Sequence, residues 1–257
     1  MSALSAPPRD DAGFRLRGMQ MNRTETFTDA AFAFALTLLV VSLDPPASYI
    51  ELRHALQDVP AFLLSATMLM VFWRAHHTWS RRFGLEDTTS IILSCILVFT
   101  VLIYVYPLRF MFGLMMSWYG GLFGVTLGNG VTLDRMADVN QLFVIYGIGF
   151  SVMATTIVLL NLHALRLGKA LGLDAVERHE TAAMAGAWAI MTGFGIASTV
   201  AAVVLPENLP GIPGWVYAPL AIVMPMYGRA MTRRRPSGQE EPVVMPEPAA
   251  VRLATTD

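Results

Sequence analysis

The residues whose types and spacing could do chemistry stand at the head of an apolar run, in the order Arg23-Thr24-Glu25-Thr26-Phe27-Thr28-Asp29. The run continues to about Leu43 and is apolar apart from Thr37 and Ser42. A carboxylate roughly a turn inside such a run is costly and normally has a partner or meets water. Arg23 lies off the ideal four-residue helical spacing from Asp29, but its long side chain can reach that way. A plainer reading is also open: Glu25 and Asp29 sit in a helix N-terminus, where the macrodipole favours anions by roughly 1 kcal/mol or less. Five histidines, His54, His76, His77, His163 and His179, invite a metal reading. Adjacent His76 and His77 point about 100° apart on a helix of 3.6 residues per turn, so they do not share one ion. No His-Glu-x-x-His pattern, phosphate loop or nucleophile elbow is present. No metal site, cofactor or catalytic residue is therefore expected, and the chain is not read as an enzyme.

The elements that must position these residues are membrane-spanning helices. The chain has 257 residues, of which 54% are hydrophobic and 14% charged, against about 25% charged in a soluble domain. The charges cluster, and the intervals between clusters are nearly free of them. Crossing the hydrocarbon core takes about 20 mostly apolar residues. Six stretches come close: about 24–43, 59–79, 88–108, 141–165, 181–205 and 215–227, the last holding Pro219 and Pro225. Residues 1–22 lack an apolar run of the kind a cleaved leader needs, so the first apolar segment is expected to stay in the membrane.

Positive charge sets the orientation. On one side fall Arg9, Arg15, Arg17, Arg23, Arg81, Arg82, Arg166, Lys169, Arg178, Arg229 and Arg233-Arg234-Arg235; on the other only Arg53, Arg109 and Arg135. With an even number of spans, the positive-inside rule puts both termini in the cytoplasm. The expected organisation is a cytoplasmic arm over 1–22, a six-helix domain over 23–230 and a disordered cytoplasmic tail over 231–257, rich in proline and glutamate. Residues 110–140 are expected to be an external connection held in the interface by Trp118 and Tyr119. Cys95, the single cysteine, forms no intrachain disulfide. The net charge of -1 gives no sign of a nucleic-acid partner.

Helical spacing gathers Phe34, Leu38 and Val41 on one face of the first helix, with Ala30 a turn earlier and Thr37 beside them. Such a face packs against neighbouring helices or lipid, or else it surrounds an axis with copies from other subunits and forms a hydrophobic constriction. Periodicity alone leaves both open.

Two motifs carry a resemblance. Arg23-x-x-x-Phe27-Thr28-Asp29, followed by an apolar run with Thr37-Leu38-Leu39-Val40, resembles the signature of the endosomal and lysosomal potassium channel family of transmembrane protein 175 and its bacterial relatives. That signature reads Arg-x-x-x-Phe-Ser-Asp and then an apolar run with Thr-Leu-Leu. Trp73-Arg74-Ala75-His76-His77 resembles the family's Trp-x-x-His-His, and Pro107 matches a proline that ends the third helix. The resemblance covers roughly residues 20–230.

The resemblance implies an all-α integral membrane protein with six transmembrane helices in one repeat, multi-pass in the inner membrane of the cell. It implies a homotetramer that conducts potassium ions passively. The first helix of each subunit lines the pore; the Thr-Val-Gly-Tyr-Gly filter of ordinary potassium channels is absent from the family and from this chain. By position the constriction falls on Phe34, the family threonine on Thr37, and deeper apolar layers on Leu38 and Val41. A polar network bracing the pore helix falls on Arg23, Thr28, Asp29, Trp73, His76 and His77. Thr28 departs from the family's serine but keeps the hydroxyl. Phe34 replaces an isoleucine or leucine, so four phenyl rings would crowd the axis. Ser94-Cys95 stands where the family often has asparagine. The rival readings are a secondary transporter and a proton-conducting membrane protein. A transporter would use ionisable groups near broken helices at the midplane, and the inner spans here are almost free of them.

Overall fold

The computed structural model describes residues 8–10, 13–41, 46–127, 136–206 and 211–236. They form eight helices: α1 (Arg23–Val41), α2 (Tyr49–Gln57), α3 (Val59–Phe83), α4 (Thr88–Phe123), α5 (Met136–Arg166), α6 (Ala175–Val204), α7 (Ile212–Trp215) and α8 (Leu220–Arg233). The described residues hold no strand, only an isolated antiparallel bridge between Arg9 and Arg15. Four helices, α3 to α6, are long and apolar enough to cross a membrane.

The helices pack around one core. α1 packs on α3 and α4, α4 packs on α5, and α5 packs on α6. Phe72, Leu97, Val101, Phe150, Met153 and Ile157 fill the centre with side chains that are almost fully buried. Small residues let α5 and α6 close on each other, since a methyl group at Gly147 would run into Thr199, and one at Gly195 into Ser151 and Phe150. Small residues permit this kind of close helix packing. Gly193, also on α6, faces open space instead.

α4 departs from expectation. The sequence places its end near Pro107, yet the helix runs through that proline to Phe123 and is closed by Gly124 in the left-handed conformation. Proline removes one backbone hydrogen bond, which neighbouring helices can compensate in a membrane bundle. Here the turns after it have anchors of their own. Leu108 and Met111 are buried, and the Arg109 guanidinium donates to the Leu39 carbonyl (2.7 Å) and to the Asp58 carboxylate ahead of α3. The first half of the expected external connection is therefore helix, with Trp118 and Tyr119 stacked edge to face near its end. Residues 128–135 lie outside the described residues.

The sixth apolar stretch is interrupted. α7 ends at Trp215, and bonds of the i to i+3 type through Tyr217, Ala218 and Leu220 carry the chain into α8, which starts after Pro219. Among the described residues, α8 packs on α6 alone; the Tyr227 hydroxyl donates to the Ala183 carbonyl at 3.0 Å, and His179 Nε2 lies 2.9 Å from the Met231 carbonyl. Helix α8 ends at Arg233, three residues beyond the expected domain boundary. The expected disordered tail falls, from residue 237 on, outside the described residues.

The expected N-terminal arm is bound to the bundle over residues 13–18. Phe14 is fully buried against Phe83, edge to face, with the Arg17 and Arg82 guanidinium groups over its ring. Arg82 donates twice to Asp10 Oδ2 (3.0 and 2.8 Å). Gly18 lies against the backbone of Ser80 and Arg81, where any side chain would collide. Arg15 pairs with Glu177 and Arg235 with Glu180, so the arm and the end of α8 meet the same first turns of α6.

Asp87 ties two helix ends together at this same end of the bundle. Its carboxylate accepts from Thr89 N–H and Ser90 Oγ–H at the start of α4, and lies 2.8 Å from His163 Nε2 in the last turn of α5. Burial pushes its pKa up, but the Ser90 hydrogen bond, His163 and the Thr89 amide outweigh that and hold it below the ordinary value. A depressed carboxylate pKa gives stability that is complete above the unfolded value of about 3.9 and is lost as pH falls through the folded one. Thermal unfolding in detergent between pH 5 and 3 should therefore show a steeper acid loss for the wild type than for Asp87→Asn. Identical slopes would mean that the carboxylate's charge contributes nothing.

Candidate functional site

α1 is helical because an apolar, alanine-rich run follows Asn22, whose side chain caps the Glu25 amide at 2.6 Å. Its two faces have different fates. Glu25, Thr28, Phe32, Ala35 and Leu39 are buried against α3 and α4. Ala30, Phe34 and Thr37 face outward, and Phe34 is 56% exposed. Thr37 turns its hydroxyl back to the Ala33 carbonyl (3.0 Å). Leu38 is half buried and touches the core. Val41 closes the helix, and its side chain lies outside the described residues. Thus Phe34 and Thr37 share an exposed surface, whereas Leu38 stands at its edge.

The polar residues are brought together only in part. Trp73 Nε1 donates to Asp29 Oδ1 at 2.8 Å, joining α3 to α1. His77 stacks on Trp73 with ring centroids 5.1 Å apart and points its Nδ1 at Glu25 Oε1, 3.5 Å away. His76 turns the other way, is 2% exposed, and meets Ser94 Oγ of α4 at 2.9 Å. The two histidines therefore diverge as the helical angle requires. Ser94, noted in the sequence only as a departure, is the partner of one of them. Thr28 is buried but bonds back to the Thr24 carbonyl rather than across to another helix. Arg23 is exposed.

Trp73→Phe removes the donor and leaves Asp29 Oδ1 without it. Asp29 is only half-buried, so the expected cost is about 1 kcal/mol, the low end for a polar group left unsatisfied, read as a lower unfolding midpoint in detergent. An unchanged midpoint would place Asp29 in water and favour the helix-dipole reading.

Sequence reasoning missed two buried acids. Glu177 is fully buried and accepts from Arg15 N, Nε and Nη2, from Arg17 Nη1 and Nη2, and from the Asp174 amide. Asp58, 3% exposed, holds Arg109. The first had a local signal, since Asp174-x-x-Glu177 before an apolar run is a capping box, and the box is formed. The second had only Asp58 ahead of Val59-Pro60.

A transporter would need a binding site with groups to couple an ion. A cavity of about 970 Å³ between α4, α5, α6 and α7 is lined by Met115, Trp118, Phe143, Tyr146, Met191 and Tyr217 among others. No charged side chain lines it. It is apolar and aromatic, and it lies away from the α1 face.

The comparisons with known proteins bear on the same residues. Residues 23–107, which hold both motifs, match the family described as endosomal/lysosomal potassium channel TMEM175. A protein from Marivirga tractuosa named potassium channel is 31% identical over 232 residues, which is 86% of this chain and 92% of that protein. The crystal structure of a variant of the potassium channel MtTMEM175, bound to a nanobody–MBP fusion protein, superposes with a TM-score of 0.78 at 28% identity. It covers 88% of this chain and all of that one.

Proposed function

Because the chain belongs to the TMEM175 family of potassium channels, whose members are channels and not enzymes, we propose that it conducts potassium ions passively through a pore lined by α1 of each subunit, with Phe34 at the constriction. The observation that carries this reading is the unpartnered face of α1. Among the described residues, the helices it packs on are α3 and α4 alone, which sets it at the edge of the bundle. Its outward stripe of Ala30, Phe34 and Thr37 contains small and hydroxyl-bearing residues that neither a core nor a lipid contact requires. Four copies of this face around one axis would bury it and leave the rings of Phe34 facing each other. A ring of large apolar side chains can gate by dewetting. Thr37 would stand one turn deeper, and Leu38 and Val41 beside it would meet neighbouring subunits.

The remaining features fit this arrangement. α1, at 19 residues, is about 28 Å long by helical rise, close to the hydrocarbon thickness of about 30 Å. With α1 as the first crossing and the interrupted α7–α8 segment as the last, the chain crosses the membrane six times. Both ends then lie on the arginine-rich side, which the positive-inside rule assigns to the cytoplasm of an inner-membrane protein. The Trp73–Asp29 bond and the His76–Ser94 contact brace α1 through α3 and α4.

Protein reconstituted into potassium-loaded vesicles should collapse the potassium gradient without any coupled ion. Bi-ionic recordings should show a finite potassium conductance at equal pH and sodium on both sides. Flux that depends strictly on a proton or sodium gradient would establish the transporter instead.

A further inference from the structure

We propose that Glu25, Asp29 and His77 form a binding site for a divalent first-row transition metal ion of the zinc type, between α1 and α3 at the arginine-rich end of the bundle. One ligand atom from each residue lies within 4.8 Å of the other two. His77 Nδ1 and Glu25 Oε1 are 3.5 Å apart, too far for a good hydrogen bond. That gap is close to the separation of about 3.4 Å that two ligands keep when each holds a tetrahedral zinc at about 2.1 Å.

The buried atoms point to a cation. The Glu25 side chain is 3% exposed, yet its Oε2 has no hydrogen-bond partner, and neither has His77 Nδ1. Buried polar atoms left without a partner are costly and call for one. A shared proton would draw the pair to normal hydrogen-bond length, as in the His163–Asp87 pair at 2.8 Å. An ion satisfies both atoms at the distance observed. Asp29 adds a second carboxylate. Its Oδ1 is held by Trp73 Nε1, which leaves Oδ2 for the ion. Trp73 also stacks on the His77 ring, so one indole orients two of the three ligands, the part that outer-shell groups play in metal sites. The His77 side chain is 39% exposed, which gives a way in and room for water as a fourth ligand. An imidazole with two carboxylates suits zinc or cobalt rather than magnesium or calcium, which prefer oxygen alone.

Adjacent His76 and His77 still do not share an ion. The site takes one histidine from α3 and both carboxylates from α1, a combination that spacing along the chain cannot display.

The test uses the full chain, purified in detergent without a histidine tag and titrated with Co²⁺ by visible absorption, with Zn²⁺ as competitor. The expected result is one Co²⁺ per chain. Removing a ligand by Glu25→Gln or His77→Gln should weaken binding about tenfold or more, at least the effect of losing an outer-shell partner. His54→Gln, on exposed helix α2, should leave it unchanged. Zn²⁺ should raise the unfolding midpoint of the wild type and not of Glu25→Gln. Equal Co²⁺ affinity in wild type and Glu25→Gln would overturn the proposal, as would displacement of Co²⁺ by an equal concentration of Mg²⁺. Glu25 is outside the proposed brace, so Glu25→Gln should carry metal-free potassium flux like the wild type. Metal binding and channel function can thus fail separately.

Discussion

Glu177→Ala should lower the unfolding midpoint of the detergent-solubilised protein by about 10 °C and shift much of it into aggregate on gel filtration. The carboxylate is fully buried and is the common acceptor for two guanidinium groups and two backbone amides. Its hydrogen bond to Arg15 is the largest of the influences that raise that arginine's pKa, against the opposing effect of burial. Removing one partner of a buried ion pair costs about 3–5 kcal/mol, because the remaining charge is left without compensation. Here two charges remain, on side chains only 22% and 17% exposed. For a chain of this size each kcal/mol moves the midpoint by roughly 2–4 °C. The damage should spread, because the same contacts seat residues 13–18, and with them Phe14, on the core. The double substitution Glu177→Ala with Arg15→Ala should recover part of the loss by removing one of the stranded charges. A single mutant within a degree or two of wild type would show that the arm contributes nothing to stability.

This cluster also shows what the sequence could and could not display. Periodicity and charge marked the long apolar spans, because a helix must hide its backbone and a bilayer tolerates few charges. The four longest and most apolar spans are legible on that ground alone. The role of the arm is not. Arg15 and Glu177 are far apart in sequence, and no local period links them. The arginines near the N-terminus carry orientation information and also bind a carboxylate, and only the first of these can be counted from a sequence. Pro107 is a second case. Read locally it stops a helix, but the bundle supplies Asp58 and the Leu39 carbonyl to Arg109, just beyond the proline, and so holds the next turns in helical form.

The candidate site was legible in its residues and less so in its pairings. Asp29 and Trp73 were both singled out, and they bond directly. His76 and His77 were expected to diverge from the helical angle alone, and they do. Which partner each would find depended on the rotation of α3 between α1 and α4, which no pattern along one helix reports. Glu25 was read as part of a helix terminus, and it does stand in the first turn of α1. It is also buried there, 3% exposed, on the side of α1 that packs on α3 and α4.

The substitution that tests the pore most directly is Phe34→Ala, which should raise potassium flux about tenfold or more and weaken discrimination against sodium. A tenfold change needs a barrier only about 1.4 kcal/mol lower, a small demand for removing a ring of phenyl groups from a dewetted constriction. The geometry also predicts what should not happen. Phe34 is 56% exposed in the protomer, so its loss opens no core cavity, and the unfolding midpoint should hold. Phe32, two residues earlier and 2% exposed, is the contrast. Phe32→Ala removes a buried ring at a cost of about 3–5 kcal/mol and should destabilise the protein without a gain in flux. Val40, half exposed on a different side of α1, should be neutral in both measurements when changed to alanine. These three substitutions on one helix separate the pore reading from the alternatives. If Phe34 faces lipid, its replacement behaves like that of Val40. If it only seals a contact between subunits, the oligomer weakens on gel filtration while flux falls. Raised flux with an intact oligomer and an unchanged midpoint is the outcome that a phenyl ring at the narrowest part of a pore requires.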